Sequence, residues 1–359
     1  MGRREFKEPR TPAFGKTGAD ETMNPLQLVG AIVVLVSTQM IMLIYTKRAT
    51  GAARLPLLLC FAQFLTSTVL AGAYKALRST PRFALPWAPR SLWRVLGALS
   101  AVWTGGFVLF NASASLMSPG FVNMVRCMEP LATVAVGAAM GARYSGSVLL
   151  TLLPVCGGVM LACGAGGALS VPGVLLALAS NVSFSGRPFF VQRLKALQQA
   201  SAAAADDDDN GNGNNSNGNG KLDKTAEFFN VTFASILMLP AAMVLLEGPV
   251  DVMAPALQRL AREGRLGTFV CDVALSSLFF FLYQLSQMVI MSRLPPLAFS
   301  VLTPVVKSFM IVGCALVFGD TFTAWSALGV GVSASGGYLF SRAMAAEKKR
   351  AAEAAAKQQ

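Results

Sequence analysis

The chain has 359 residues, 54% of them hydrophobic and only 13% charged, where soluble domains carry about 25% charged residues. That balance excludes an ordinary soluble enzyme, and about 194 apolar residues are enough for roughly ten membrane-spanning helices of about 20 residues each. The net charge of +12 is spread between apolar runs rather than gathered on one module, so it does not describe a nucleic-acid partner. Histidine is absent, which removes His-based acid–base chemistry and His-ligated metal sites. The six cysteines (Cys60, Cys127, Cys156, Cys163, Cys271, Cys314) fall inside apolar segments without paired spacing, so they read as small apolar fillers, and no metal site or cofactor is expected.

Residues 1–25 form a polar N-terminal tail with five basic residues and no apolar core, so no cleavable secretory signal is visible. Long apolar stretches then predict helices at 26–46, 55–74, 95–116, 119–140, 146–164 and 171–192, and again at 228–247, 268–292, 296–318 and 322–341. The first six make a transmembrane group over 26–195 and the rest a second group over 227–343. Between them, 196–226 holds alanines, Asp206 to Asp209 and alternating Asn and Gly, a composition that cannot bury a core and predicts a disordered loop. Residues 344–359 are a polar C-terminal tail. Placing the N-terminus in the cytosol leaves 21 of the 30 Lys and Arg on the inner side and six outside, with three in spans; the bias favours two cytosolic termini.

An offset of 178 residues lays the fourth span on the ninth, superposes Gly141 on Gly319 and places Glu129 on Lys307. Internal duplication is the expected origin, and transporters built this way hold substrate at the midplane between repeats. Small residues four apart, at Thr133, Gly137 and Gly141 and at Gly329, Ser333 and Gly337, let helices approach closely; intramolecular packing is the favoured use and a homodimer face the other.

Charges within spans carry the functional signal, because each costs roughly 2.5–3.5 kcal/mol at a helix centre. Lys307 lies at the midpoint of its span and must face a cavity or a partner. Arg126 and Glu129 share one helix face and could neutralise each other locally; alternatively Glu129 bonds within the scaffold beside Pro130, while Arg126 and Lys307 converge from opposite halves on an anion. The arginine fork suits bidentate phosphate recognition and lysine adds a point charge. Arg187 either snorkels to the surface or closes over the substrate. Pro130, Pro154, Pro188 and Pro304 interrupt helical bonding where a gate could bend.

At these positions the chain resembles the triose-phosphate translocator family of the drug/metabolite transporter superfamily, which also includes many nucleotide-sugar transporters. The matching runs are Val125-Arg126-Cys127-Met128-Glu129-Pro130, Leu152-Leu153-Pro154 through Val159, and Ala179-Ser180-Asn181 with Phe184-Ser185 and Arg187, followed by Lys307 and Gly319. The resemblance implies an all-α polytopic membrane protein of about ten helices in two inverted five-helix repeats. It further implies substrate contacts at Arg126, Lys307 and Arg187, and scaffold or gating roles for Glu129, Pro130 and Asn181. Plastid members carry an arginine after the ninth-span lysine where this chain has Ser308, and an eighth-span tyrosine that corresponds to Tyr283 or Gln284. Their polar residues in the third span correspond to Phe107 and Phe110. Fewer phosphate ligands and a more aromatic pocket favour nucleotide sugars or larger sugar phosphates over triose phosphate.

The expected function is an antiporter in the lipid bilayer, monomer or homodimer, exchanging an anionic phosphorylated small molecule for phosphate or a nucleoside monophosphate by alternating access. The rivals are a proton-coupled metabolite exporter using Glu129 and a non-transporting membrane scaffold. An enzyme is not expected, since no nucleophile–base pair is evident. The N-terminus shows neither a plastid transit peptide nor a signal, which points to the Golgi or another endomembrane ahead of a plastid envelope.

Overall fold

A computed structural model of the chain describes residues 25–78, 86–139, 144–164, 170–208, 222–247, 250–293, 296–319 and 323–356. Among these residues every regular element is helical: α1 (Pro25–Ala53), α2 (Pro56–Arg78), α3 (Trp93–Leu116), α4 (Pro119–Arg126), α5 (Glu129–Ala139), α6 (Gly146–Leu150), α7 (Leu152–Gly164), α8 (Val171–Asp208), α9 (Lys224–Leu246), α10 (Val250–Arg262), α11 (Leu266–Arg293), α12 (Pro296–Phe318) and α13 (Ala324–Ala356). Five helical stretches, Val29–Ala53, Pro56–Arg78, Arg90–Leu116, Lys224–Leu245 and Leu266–Gln287, are long and apolar enough to cross a membrane, and Gly146–Ala162 and Val306–Phe318 are shorter apolar helices. The protein is an all-α, multi-pass membrane protein.

Proline sets several boundaries. It opens α1, α2, α4 and α12, where its missing N–H would have no helical partner in any case. At two places inside apolar runs it breaks the helix one turn upstream: α4 ends at Arg126, four residues before Pro130, and α6 ends at Leu150, four residues before Pro154, whereas α8, α9 and α12 run on through Pro188, Pro240 and Pro304, so the interruption expected at Pro188 and Pro304 does not occur. The fourth and fifth expected spans are therefore each two helices in series. Gly319 follows α12 with φ +66°, the left-handed turn that glycine adopts without steric cost.

Three further departures from the sequence expectations have simple causes. Helices α8 and α13 run on through Asp208 and Ala356, because their alanine-rich extensions favour helix without any core to bury. The Asn-Gly tract 209–221 lies outside the described residues. The connection before α11 contains α10, an amphipathic helix whose apolar face joins a small core of Ala49, Ala53, Leu55, Leu59, Leu260 and Phe269.

The helices pair in a pattern that survives exchange of the two halves. Helix α3 packs on α8, α1 on α11, α2 on α9, α4 on α12 and α7 on α13. Matching α1–α2–α3 to α8–α9–α11, α4–α5 to α12, and α6–α7 to α13 converts the first pair into the second and each of the others into itself. At the α7–α13 contact the two backbones approach closely: a Cβ on Gly329 would lie 2.5 Å from Gly158 O, and one on Gly336 would lie 2.7 Å from Val155 N. The small-residue stripe of the last helix is thus used within the chain. In the other stripe, Thr133 bonds Ser185 on α8 at 3.1 Å and Gly137 faces the Tyr144 hydroxyl. The main core lies between the halves and includes Phe64, Leu96, Leu99, Phe228, Phe280 and Met310.

Candidate substrate site

The break between α4 and α5 is where the site is built. Pro130 has no N–H, so the Arg126 carbonyl one turn earlier loses its helical donor. Lys307, projecting from α12, supplies the substitute: its ammonium donates to Arg126 O at 2.9 Å and to Glu129 Oε2 at 2.5 Å. The pair is largely shielded, with the Lys307 side chain 15% and the Glu129 side chain 31% exposed. In a bilayer, mutual neutralisation plus a spare carbonyl offsets the cost of placing a lysine at mid-span. Glu129 therefore pairs with the opposite half rather than with its helix neighbour Arg126, and Lys307 is not the unpaired cation that convergence on an empty cavity requires.

Helix α8 fastens this break in place. Asn181 Nδ2 donates to Val125 O at 3.1 Å, while Thr133 Oγ1 donates to Glu129 O at 3.0 Å and shares a hydrogen bond with Ser185. On the opposite face, Ser180 and Ser183 donate to Gly106 O and Val102 O of α3 at 3.0 and 2.8 Å. The Ser-Asn-x-x-Phe-Ser pattern is thus a row of clasps that holds α3 and the broken helix on opposite sides of α8.

Arg126 is surrounded by aromatic rings. Its guanidinium carbon lies 5.0 Å from the Phe110 centroid and 4.9 Å from that of Phe184, distances at which cation–π attraction orients the group. Gly106 makes this arrangement fit, since a Cβ there would come within 2.7 Å of the Phe184 ring. Arg126 Nε is buried without a hydrogen-bond partner. The planar fork is thus held by its faces while part of its donor edge is unused.

Arg187 does not snorkel. Helix α8 continues well beyond it, and its guanidinium lies 3.8 Å from the Trp103 ring centroid. It interacts electrostatically with Tyr283, Glu227, Glu129 and Arg126, and Tyr283 in turn with Arg126, Arg187 and Glu129. Arg126, Glu129, Arg187 and Tyr283 are thus near enough to feel one another's charge, and Lys307 is bonded to Glu129. Gln284 is buried with Nε2 unpartnered, and Ser308 is half-buried beside Lys307 on α12. Phe107 packs among Phe64, Trp103, Phe184 and Phe280 at centroid distances of 5.1–5.8 Å. Sequence reasoning missed Trp103 as the support for Arg187; an indole at i, i+4, i+7 spacing with Phe107 and Phe110, on one face of α3, was the available signal.

Among the described residues no group of three or more His, Cys, Asp or Glu side chains could hold a metal ion. The centre carries three cations, Arg126, Arg187 and Lys307, against the Glu129 carboxylate. Chemically it can bind an anion.

A multi-pass helical membrane protein with a cationic centre at a broken helix between two halves is the class defined by this fold. The chain belongs to the Triose-phosphate Transporter family, whose model matches residues 26–341. It is 27% identical over 245 residues to "Phosphoenolpyruvate/phosphate translocator 1, chloroplastic" of Oryza sativa subsp. japonica, a match covering 68% of this chain and 54% of the relative. To "Xylulose 5-phosphate/phosphate translocator, chloroplastic" of Arabidopsis thaliana it is 26% identical over 247 residues, with the same two coverages. To "Glucose-6-phosphate/phosphate translocator 2, chloroplastic" of the same plant it is 24% identical over 305 residues, covering 84% of this chain and 71% of the relative. The chain spans about half the length of the first two relatives it matches.

Proposed function

We propose that this protein is an antiporter that exchanges a phosphorylated small metabolite for phosphate by alternating access. The observation that carries the reading is the Lys307–Glu129 ion pair at the α4–α5 break, beside an arginine whose Nε is buried and unpartnered. The relatives' names differ in the metabolite and share phosphate, which supports phosphate as the common counter-substrate.

In this mechanism a phosphate group takes the open edge of Arg126 in bidentate contact. Lys307 turns from Glu129 and the Arg126 carbonyl to a phosphate oxygen, and Arg187 closes over the far side from its perch on Trp103, with Tyr283 and Ser308 as neutral donors and Gln284 a buried amide behind Tyr283. Asn181 keeps the broken helix anchored to α8, and the Pro130 break supplies the bend. With Glu227 already paired to Lys224, the three cations and Glu129 leave two positive charges, which balance a phosphate dianion. Closing the halves around those charges without an anion is costly in low dielectric, so bound anion favours the occluded state. Exchange rather than net flux follows.

The aromatic wall of Trp103, Phe110 and Phe184 favours a second reading, a nucleotide sugar exchanged for a nucleoside monophosphate, because a planar base stacks on such rings. The chloroplastic relatives support a plastid envelope ahead of the Golgi as the site of action. The positive-inside bias supports two cytosolic termini. The protein is taken to act as a monomer or homodimer.

The test is uptake into liposomes loaded with phosphate, with a nucleoside monophosphate, or with buffer alone. Uptake of phosphoenolpyruvate or a sugar phosphate that needs internal phosphate is the expected result. Nucleotide-sugar uptake that needs internal nucleotide moves the assignment to the second reading. Equal uptake into empty vesicles contradicts exchange.

A further inference from the structure

Several buried hydroxyls of this bundle donate to the carbonyl one turn back on their own helix: Thr38 to Val34, Thr68 to Phe64, Ser100 to Leu96, Thr232 to Phe228 and Ser277 to Val273. Ser67 on α2 and Thr104 on α3 do not. Their side-chain oxygens are buried without a hydrogen-bond partner, a costly state for a polar group in a helical core.

Helix register brings these two hydroxyls to the same place. Along the antiparallel α2–α3 contact, Asn111 bonds Cys60 at 2.7 Å and Phe107 meets Phe64 at a centroid distance of 5.8 Å. The next turn in the same direction sets Thr104 opposite Ser67. Phe280 of α11 completes the ring cluster, 5.9 Å from Phe64 and 5.1 Å from Phe107. Helix α11 runs antiparallel to α1, as the Thr46–Ser276 and Arg48–Asp272 contacts show, and therefore parallel to α2. One turn beyond Phe280 it carries Gln284, 1% exposed, with Nε2 unpartnered. Two hydroxyls and an amide donor thus share one layer under a roof of Phe64, Phe107 and Phe280.

The chemistry of the layer describes its occupant. A hydroxyl both donates and accepts, so Ser67 and Thr104 answer ligand hydroxyls. All three side chains are neutral, and a ligand carboxylate placed among them would lose its hydration without gaining a counter-charge. Aromatic rings with a few placed polar groups suit a sugar, whose C–H face packs on the rings. The layer adjoins the phosphate centre: Phe107 lies 5.1 Å from Phe184, whose ring is 4.9 Å from the Arg126 guanidinium.

We infer that Ser67 and Thr104, with Gln284, form the specificity site for the hydroxyl-bearing end of the transported metabolite and select a sugar phosphate over a phosphorylated carboxylate. The inference rests on the phosphate-exchange reading above.

Competition against uptake of labelled phosphate into phosphate-loaded vesicles tests it, with unlabelled glucose 6-phosphate or phosphoenolpyruvate as competitor. Glucose 6-phosphate is expected to compete at the lower concentration in the wild type. Thr104→Val and Ser67→Ala are each expected to raise its half-inhibitory concentration by about tenfold, while that of phosphoenolpyruvate and the uptake of phosphate itself stay as they are. Thr104→Ser, which keeps a hydroxyl, is expected to behave as the wild type. An unchanged ratio between the two competitors in both Thr104→Val and Ser67→Ala overturns the inference, as does stronger competition by phosphoenolpyruvate in the wild type. Absence of phosphate exchange in the wild type is a separate result, which removes the antiport reading and the inference with it.

Discussion

Glu129 on α5 and Lys307 on α12 stand 178 residues apart and meet as an ion pair. The two positions correspond when one half of the chain is laid on the other, so their contact lies where a two-fold relation between the halves maps α4–α5 and α12 onto each other. At these matched positions one half carries the acid and the other the base. In the proposed antiporter, this symmetric junction is also the place where substrate charge is read.

Removing one member of the pair strands the other in a low-dielectric setting. Lys307→Ala is expected to abolish exchange and to destabilise the protein by about 2–4 kcal/mol, near the lower end for a broken buried pair because Glu129 keeps some exposure. The double variant Lys307→Ala/Glu129→Ala is expected to regain most of that stability and none of the exchange. Thermal unfolding in detergent alongside vesicle uptake separates the two effects; a double variant no more stable than the single one contradicts the pairing.

Pro130→Ala gives the Arg126 carbonyl a backbone donor again, in competition with the Lys307 ammonium. The expected outcome is a more continuous α4–α5 helix, stabilised by about 1 kcal/mol or more, with slower exchange at unchanged expression. Transport at the wild-type rate shows that the break is not part of the gate.

Arg126→Lys keeps the charge and loses the fork. Apparent affinity for the transported anion is expected to fall by about tenfold, the value of roughly one charge-assisted hydrogen bond. Substrate-concentration dependence of uptake measures this, and an unchanged affinity removes Arg126 from the phosphate contact.

At the α7–α13 crossing, Gly329→Leu drives a side chain into the backbone of Gly158 and Ala162. A loss of about 3 kcal/mol or more is expected, since neither helix can retreat without opening the contact. Gly157→Ala, where nothing lies within 4 Å, is the matched control and is expected to be near neutral in the same melting experiment.

The helical framework was legible because apolar length alone marks a span: each expected stretch folds as helix, within a few residues at most ends. The breaks at Arg126 and Leu150 were legible in principle from Pro130 and Pro154, four residues on. Helix α10 was not, because its apolar residues Met253, Ala256, Leu257 and Leu260 repeat at helical spacing without forming a continuous run. The importance of Arg126, Glu129, Arg187 and Lys307 follows from the cost of intramembrane charge. Their pairing does not, since spacing of three along a helix predicts the Arg126–Glu129 contact and only tertiary structure brings Lys307 to Glu129. Trp103 was hidden for the same reason: one aromatic residue among many becomes significant only when Arg187 lies over it.

Uptake of labelled phosphate into phosphate-loaded vesicles, compared between the wild-type chain and Lys307→Ala at equal amounts of folded, inserted protein, tests the central claim most directly. Uptake stimulated by internal phosphate in the wild type and lost in Lys307→Ala is the predicted result. Comparable uptake by both proteins, or wild-type uptake indifferent to internal phosphate, contradicts it.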